Sequence, residues 1–153
     1  MPAANSTVKL KTSDVPQADS LALVRRLLEA TAVSPSTAVK DLAEKTKFSE
    51  RHVRYRLQAA RILGFLKPEG EAEVTSRGKR LLATEVGTPE EKKQLASAVS
   101  DCASVQLICP NLLALPEVDV KKIGDRISRL SGLSPATAER RAVVLRSWHR
   151  QLR

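Results

Sequence analysis

Residues 36–82 read STAVKDLAEKTKFSERHVRYRLQAARILGFLKPEGEAEVTSRGKRLL, and the order of periodicities in this stretch decides the fold class. Val39, Leu42 and Ala43 recur at the three- and four-residue spacing of one buried helix face, which predicts a helix to about Lys45. Thr46-Lys47-Phe48 breaks that pattern, and Ser49 is suited to cap a third helix whose Val53, Leu57 and Ala60 face inward. Gly64, at home in the left-handed conformation, closes it. The period then changes. Phe65-Leu66-Lys67 is short and extended, Pro68-Glu69-Gly70-Glu71 is turn chemistry, and Ala72 to Thr75 can return as a second strand. Thr75 or Ser76 caps a fourth helix that runs through Leu81 and Leu82 to about Glu85.

Outward from this stretch the punctuation is equally regular. Residues 1–18 are rich in Pro, Ser, Thr, Ala and Asn with little periodicity, the composition of a flexible arm. A first helix opens at Asp19 or Ser20 and reaches about Ala30, burying Leu21, Val24, Leu27 and Leu28. Ser34 then caps and Pro35 takes the first position of the second helix. Gly87-Thr88-Pro89-Glu90-Glu91 marks a boundary and a fresh start, with Thr88 as cap and acidic residues in the first turn. That fifth helix extends to about Ser104, and Pro110 and Pro116 break the apolar stretch after it. Asp119 caps a helix ending near Ser131, Gly132 closes it, and Ser134-Pro135 opens a final helix running nearly to Arg153. The expected domains are an arm at 1–18, a unit at 19–86 and a helical unit at 88–153.

Helix, Gly-containing turn, helix at the carboxy-terminal end is a second helix-turn-helix outline. Laid on the first at an offset of 85, it pairs Leu42 with Ile127, Phe48 with Leu133, Val53 with Ala138, Leu57 with Ala142 and Leu63 with Trp148. Ser49/Ser134, Arg56/Arg141 and Arg61/Arg146 are identical. This is a match of pattern.

Composition bounds the partners. The 153 residues are 42% hydrophobic but only 3% aromatic, so the core is aliphatic and the chain mostly α. The net charge of +9 is uneven: about +1 over residues 1–39, +5 over 40–80, −4 over 81–120 and +7 over 121–153. Two basic blocks flanking an acidic middle suit a polyanion. Cys102 and Cys109 stand two helical turns apart with no histidine near, too far apart to bridge on one helix and without zinc-ligand spacing. They read as small apolar residues of a reducing compartment. Neither a signal peptide nor the roughly 18 apolar residues of a membrane span is evident, so the expected location is cytoplasmic, with the nucleoid.

Through its two packed helices, capped second member, short hairpin and Thr-x-x-Gly step into a closing helix, residues 36–82 resemble the winged helix-turn-helix superfamily of DNA-binding domains. The resemblance covers about a third of the chain. It implies a mostly α fold with a β-hairpin wing, and a recognition helix from Ser49 to Leu63 lying in the major groove. On that helix Arg51, Arg54, Tyr55, Gln58 and Arg61 share the outward face. Arg can donate two bonds to guanine O6 and N7, and Gln can pair with adenine, so Arg51, Arg54, Tyr55 and Gln58 are the base-edge candidates. The phosphate candidates are Ser49, Arg56, Arg61, Lys67, Arg77, Lys79 and Arg80, with Arg140, Arg141, Arg146 and Arg150 from the second outline. Glu69, Glu71 and Glu73 make the wing tip acidic and oppose its insertion beside phosphates.

Val144, Leu145, Trp148 and Leu152 form an apolar stripe that demands cover, from the domain core, a second copy of the chain, or an effector protein. No phosphate-cradling Gly-rich loop, nucleophile motif or metal spacing occurs; His52 and His149 stand alone. Glu117-Val-Asp119-Val-Lys121 has an acidic-x-Lys element without an upstream acidic ligand, and Asp119 reads as a cap. The expectation is a non-enzymatic, sequence-specific double-stranded DNA-binding protein with no cofactor or metal, acting as a transcriptional regulator. The alternatives are a DNA-recognition or adaptor subunit of a restriction or defence system, and an interaction module for an acidic protein partner.

Overall fold

The computed structural model describes residues 9–33 and 38–153. Eight α-helices occur among them: α1 (Leu21–Val33), α2 (Val39–Thr46), α3 (Glu50–Ile62), α4 (Ser76–Leu82), α5 (Pro89–Asp101), α6 (Ala103–Ile108), α7 (Val120–Ser131) and α8 (Pro135–Leu152). Two single 3-10 turns, Thr12–Asp14 and Leu112–Ala114, complete the regular structure. The expected Ser34-Pro35-Ser36 cap lies outside the described residues. The other caps form: Ser49, Thr75, Thr88 and Ser134 accept from the third backbone N–H beyond them, and Asp119 accepts from Lys121 and Lys122.

The expected β-hairpin wing does not form, which corrects the winged fold class to an all-helical one. Among the described residues there is no strand, only one isolated antiparallel bridge between Leu66 and Val74. Lys67 N–H reaches Glu73 O at 2.9 Å and Thr75 N–H reaches Phe65 O at 3.0 Å. The ladder stops there because the next donors are engaged elsewhere. Phe65 and Leu66 N–H both turn back to Ala60 O, closing α3, and Glu73 N–H curls onto Glu71 O. The loop is instead pressed onto α4: Gly78 lies so near the Phe65 carbonyl that a Cβ there would stand 2.3 Å from its oxygen.

Two further expectations change. α4 ends at Leu82, and the expected single helix to Ser104 breaks at Cys102, an extended residue that ends α5 and begins α6. Residues 9–18 are not a loose arm, for Leu10, Val15 and Ala18 are buried. The Val144–Leu152 stripe is not an open docking face either. Val144, Leu145 and Trp148 are buried within the chain, and Trp148 Nε1–H donates to Ala18 O at 2.8 Å.

These buried residues join one apolar cluster drawn from both halves of the chain, running from Leu10 and Leu21 through Phe65, Leu81 and Val99 to Ile127 and Trp148. A smaller cluster, Leu27, Leu42 and Val53, fills the space within α1, α2 and α3. The buried Arg25 ties α1 to the α4–α5 connection, donating to Thr84 O at 2.7 Å and pairing with Glu91 at 2.8 Å and Glu29 at 3.2 Å.

The two helix-turn-helix outlines share the bonds that shape the start of the turn. In the first, Thr46 Oγ1 donates to Leu42 O at 2.6 Å and accepts from Phe48 N–H at 3.2 Å; in the second, Ser131 Oγ donates to Ile127 O at 2.6 Å and accepts from Leu133 N–H at 3.2 Å. Each three-residue turn opens on a left-handed residue, Lys47 (φ 65°) or Gly132 (φ 78°), and ends on a serine cap. Val53 and Ala138 are fully buried at the equivalent place one turn into α3 and α8. In the second unit α7 and α8 cross closely: a Cβ on Gly124 would stand 3.1 Å from Glu139 Cα.

Candidate nucleic-acid interface

The amino-terminal half of α3 carries the site. Ser49 Oγ accepts from His52 N–H at 3.2 Å and meets His52 Nδ1 at 2.8 Å, so this phosphate candidate serves first as the cap that fixes where α3 starts. Val53 anchors the helix inward, which leaves Arg51 and Arg54 exposed and Tyr55 half-buried on the other side. Arg51 Nε–H donates to Tyr55 Oη at 2.7 Å and its guanidinium lies 5.4 Å from the ring centroid. Arg54 has only a loose exposed pair with Glu50 at 3.7 Å. Arg51 and Arg54 keep further guanidinium donors open, in a geometry that suits the planar acceptors of phosphate or a guanine edge.

Gln58, one turn further along, is occupied. Its Nε2 donates to Ser13 O at 2.6 Å and to Val15 O at 3.0 Å, while its Oε1 is enclosed and accepts no bond. The structure therefore brings Arg51, Arg54 and Tyr55 together as an open surface, and closes the row at Gln58 with the Thr12–Val15 segment.

Several phosphate candidates are also engaged. Arg61 wraps the loop after α3, donating to Lys67 O and Gly70 O, each at 2.8 Å. Lys67 pairs with Glu73 across the bridge, which raises the lysine pKa and lowers that of the carboxylate. Arg77 binds Asp101 at 2.7 Å. Arg56 stacks over Phe48 at 4.1 Å, with Arg26 also against that ring at 5.2 Å, and burial pulls the Arg56 pKa below its usual value. Lys79 and Arg80 on α4 are exposed; Lys79 helps Lys67 to lower the Glu73 pKa, and Arg80 has no partner among the described residues.

In the second unit, Arg141 is internal in role. It donates to Val15 O at 2.9 Å and Thr12 O at 3.3 Å, and desolvation lowers its pKa. Arg140 reaches Thr137 Oγ1 at 3.2 Å. Arg146 and Arg150 have no partner among the described residues and line a shallow cleft with His149, Arg153 and Glu117. His149 itself is buried against Leu115 O at 2.7 Å. At the places equivalent to Arg51, Arg54 and Gln58, α8 carries Ala136, Glu139 and Val143. The second unit copies the geometry of the first without its row of cations.

Sequence reasoning missed the amino-terminal segment. It pairs Leu10 N–H with Leu130 O at 2.8 Å and lines, with Leu10, Ser13 and Asp14, a groove of about 660 Å³ whose other wall includes Arg54 and Gln58. Leu10, Val15 and Ala18 are spaced irregularly and too sparsely to signal an element. Among the described residues no helix is long and apolar enough to cross a membrane, and no three His, Cys, Asp or Glu side chains cluster to hold a metal ion. No protein-family model, curated protein or solved structure matches the chain.

Proposed function

We propose that the chain binds double-stranded DNA and reads sequence with the first two turns of α3, acting as a transcriptional regulator. The observation that carries this reading is the exposed Arg51–Arg54–Tyr55 surface at the start of a capped helix, directly after a three-residue turn. Residues near the start of such a helix reach deepest into a major groove, and arginine there distinguishes guanine from other bases. Closure of the row at Gln58 suits a helix that enters end-on by its amino-terminal half. The contact is through helices, with no strand-built wing. Of the phosphate candidates, Arg80, Arg146 and Arg150 have no partner among the described residues and, with the exposed Lys79, are left to approach phosphates.

The test is selection from a random duplex pool followed by titration of the enriched sequence at several salt concentrations. An enriched motif is expected, with log affinity falling linearly against log salt at about 0.9 per neutralised phosphate. Absence of binding at roughly 50 mM salt, where phosphate contacts are strongest, would remove the proposal and favour an acidic protein partner.

A further inference from the structure

We propose that Lys9 and Lys11 form a second phosphate-contacting element of the DNA face, held against α3 by the folded amino-terminal segment. This deepens the reading of α3 as the DNA-contacting helix and rests on it. The argument begins with Gln58, whose two donated bonds seat the Ser13 and Val15 carbonyls one helical turn from Arg54, about 6 Å along the axis. Arg141 holds the same segment from the other side through Thr12 O and Val15 O. Leu10 and Val15 are buried, and Leu10 N–H is fixed on Leu130 O.

Beside these anchors, Lys9 and Lys11 are exposed on either side of the buried Leu10. Lys11 is oriented further by its own backbone N–H, which donates to Asp14 Oδ2 at 3.1 Å. Two exposed lysines thus flank Leu10, which lines the groove beside Arg54. A helix that enters a major groove by its first two turns must meet the bordering sugar-phosphate backbone near the point where its open part ends, and lysine serves phosphate as a point charge.

The experiment compares full-length protein with Lys9→Ala/Lys11→Ala and with Lys92→Ala/Lys93→Ala, which removes the same charge from the acidic middle of the chain. Each binds the selected duplex and an unrelated duplex across a salt series. The Lys9/Lys11 variant is expected to lose affinity equally on both duplexes and to flatten the salt slope by about two, one for each lost phosphate contact, whereas the control keeps the parent slope. An unchanged slope in the Lys9/Lys11 variant, or equal flattening in both variants, overturns the proposal while leaving the α3 reading intact. Wild-type protein that binds no DNA overturns both.

Discussion

Arg54 and Gln58 are neighbours on one face of α3, and the sequence offers both as base readers. Their surroundings divide them. Arg54 is exposed with a loose partner, whereas both amide protons of Gln58 bind backbone carbonyls of the amino-terminal segment. Gln58→Leu should therefore act on stability and leave base preference alone. Val15 O keeps its bond from Arg141 and Ser13 O is open to water, so the loss is about 1 kcal/mol, near one net hydrogen bond. In a chain of this size that lowers Tm by roughly 2–4 °C. Calorimetry alongside a second round of duplex selection checks it; a shifted base preference with an unchanged Tm would return Gln58 to the reading surface. The glutamine was misread because helical spacing reports which face a residue occupies and is silent about what else packs there.

At the scale of elements, the paired turns make a comparison within one molecule. Lys47 and Gly132 hold equivalent left-handed positions, at φ 65° and 78°, with the same closing bond to the fourth residue back at 2.9 Å. A side chain in that conformation is strained and glycine is not, although glycine also loses more freedom on folding. Lys47→Gly should stabilise by about 0.5–1 kcal/mol net of that loss, and Gly132→Ala should destabilise by a similar amount. Denaturant unfolding measures both; a destabilised Lys47→Gly would show that the two turns are not equivalent. Caps and turns of this kind were legible in the sequence, since Ser49, Thr88, Asp119 and Ser134 act through bonds to neighbours only a few residues away. The wing was not. Its strands required that Phe65 and Glu73 N–H stay free for a ladder; the first is captured by Ala60 O as α3 closes, and the second by Glu71 O within the turn.

Across the whole molecule, not every cation is free to meet a partner. Of the 26 Lys and Arg residues, Arg25, Arg61, Arg77 and Arg141 are engaged by carboxylates or backbone carbonyls, and Lys67 by Glu73. The same long-range packing draws residues 9–18 and the Trp148 stripe into one core, a result that local composition did not announce because Leu10 and Ala18 find their hydrogen-bond partners more than a hundred residues away. Exposed cations remain on α3, α4, α8 and the amino-terminal segment, as well as on α2, α5 and α7, and base reading is assigned to those of α3. Arg54→Ala tests that assignment most directly, after circular dichroism has verified the fold. Measured at one salt concentration, it should cost about 1–3 kcal/mol on the selected duplex and much less on unrelated DNA. An equal loss on both duplexes would contradict the account, for it would mean that α3 attracts DNA without reading it.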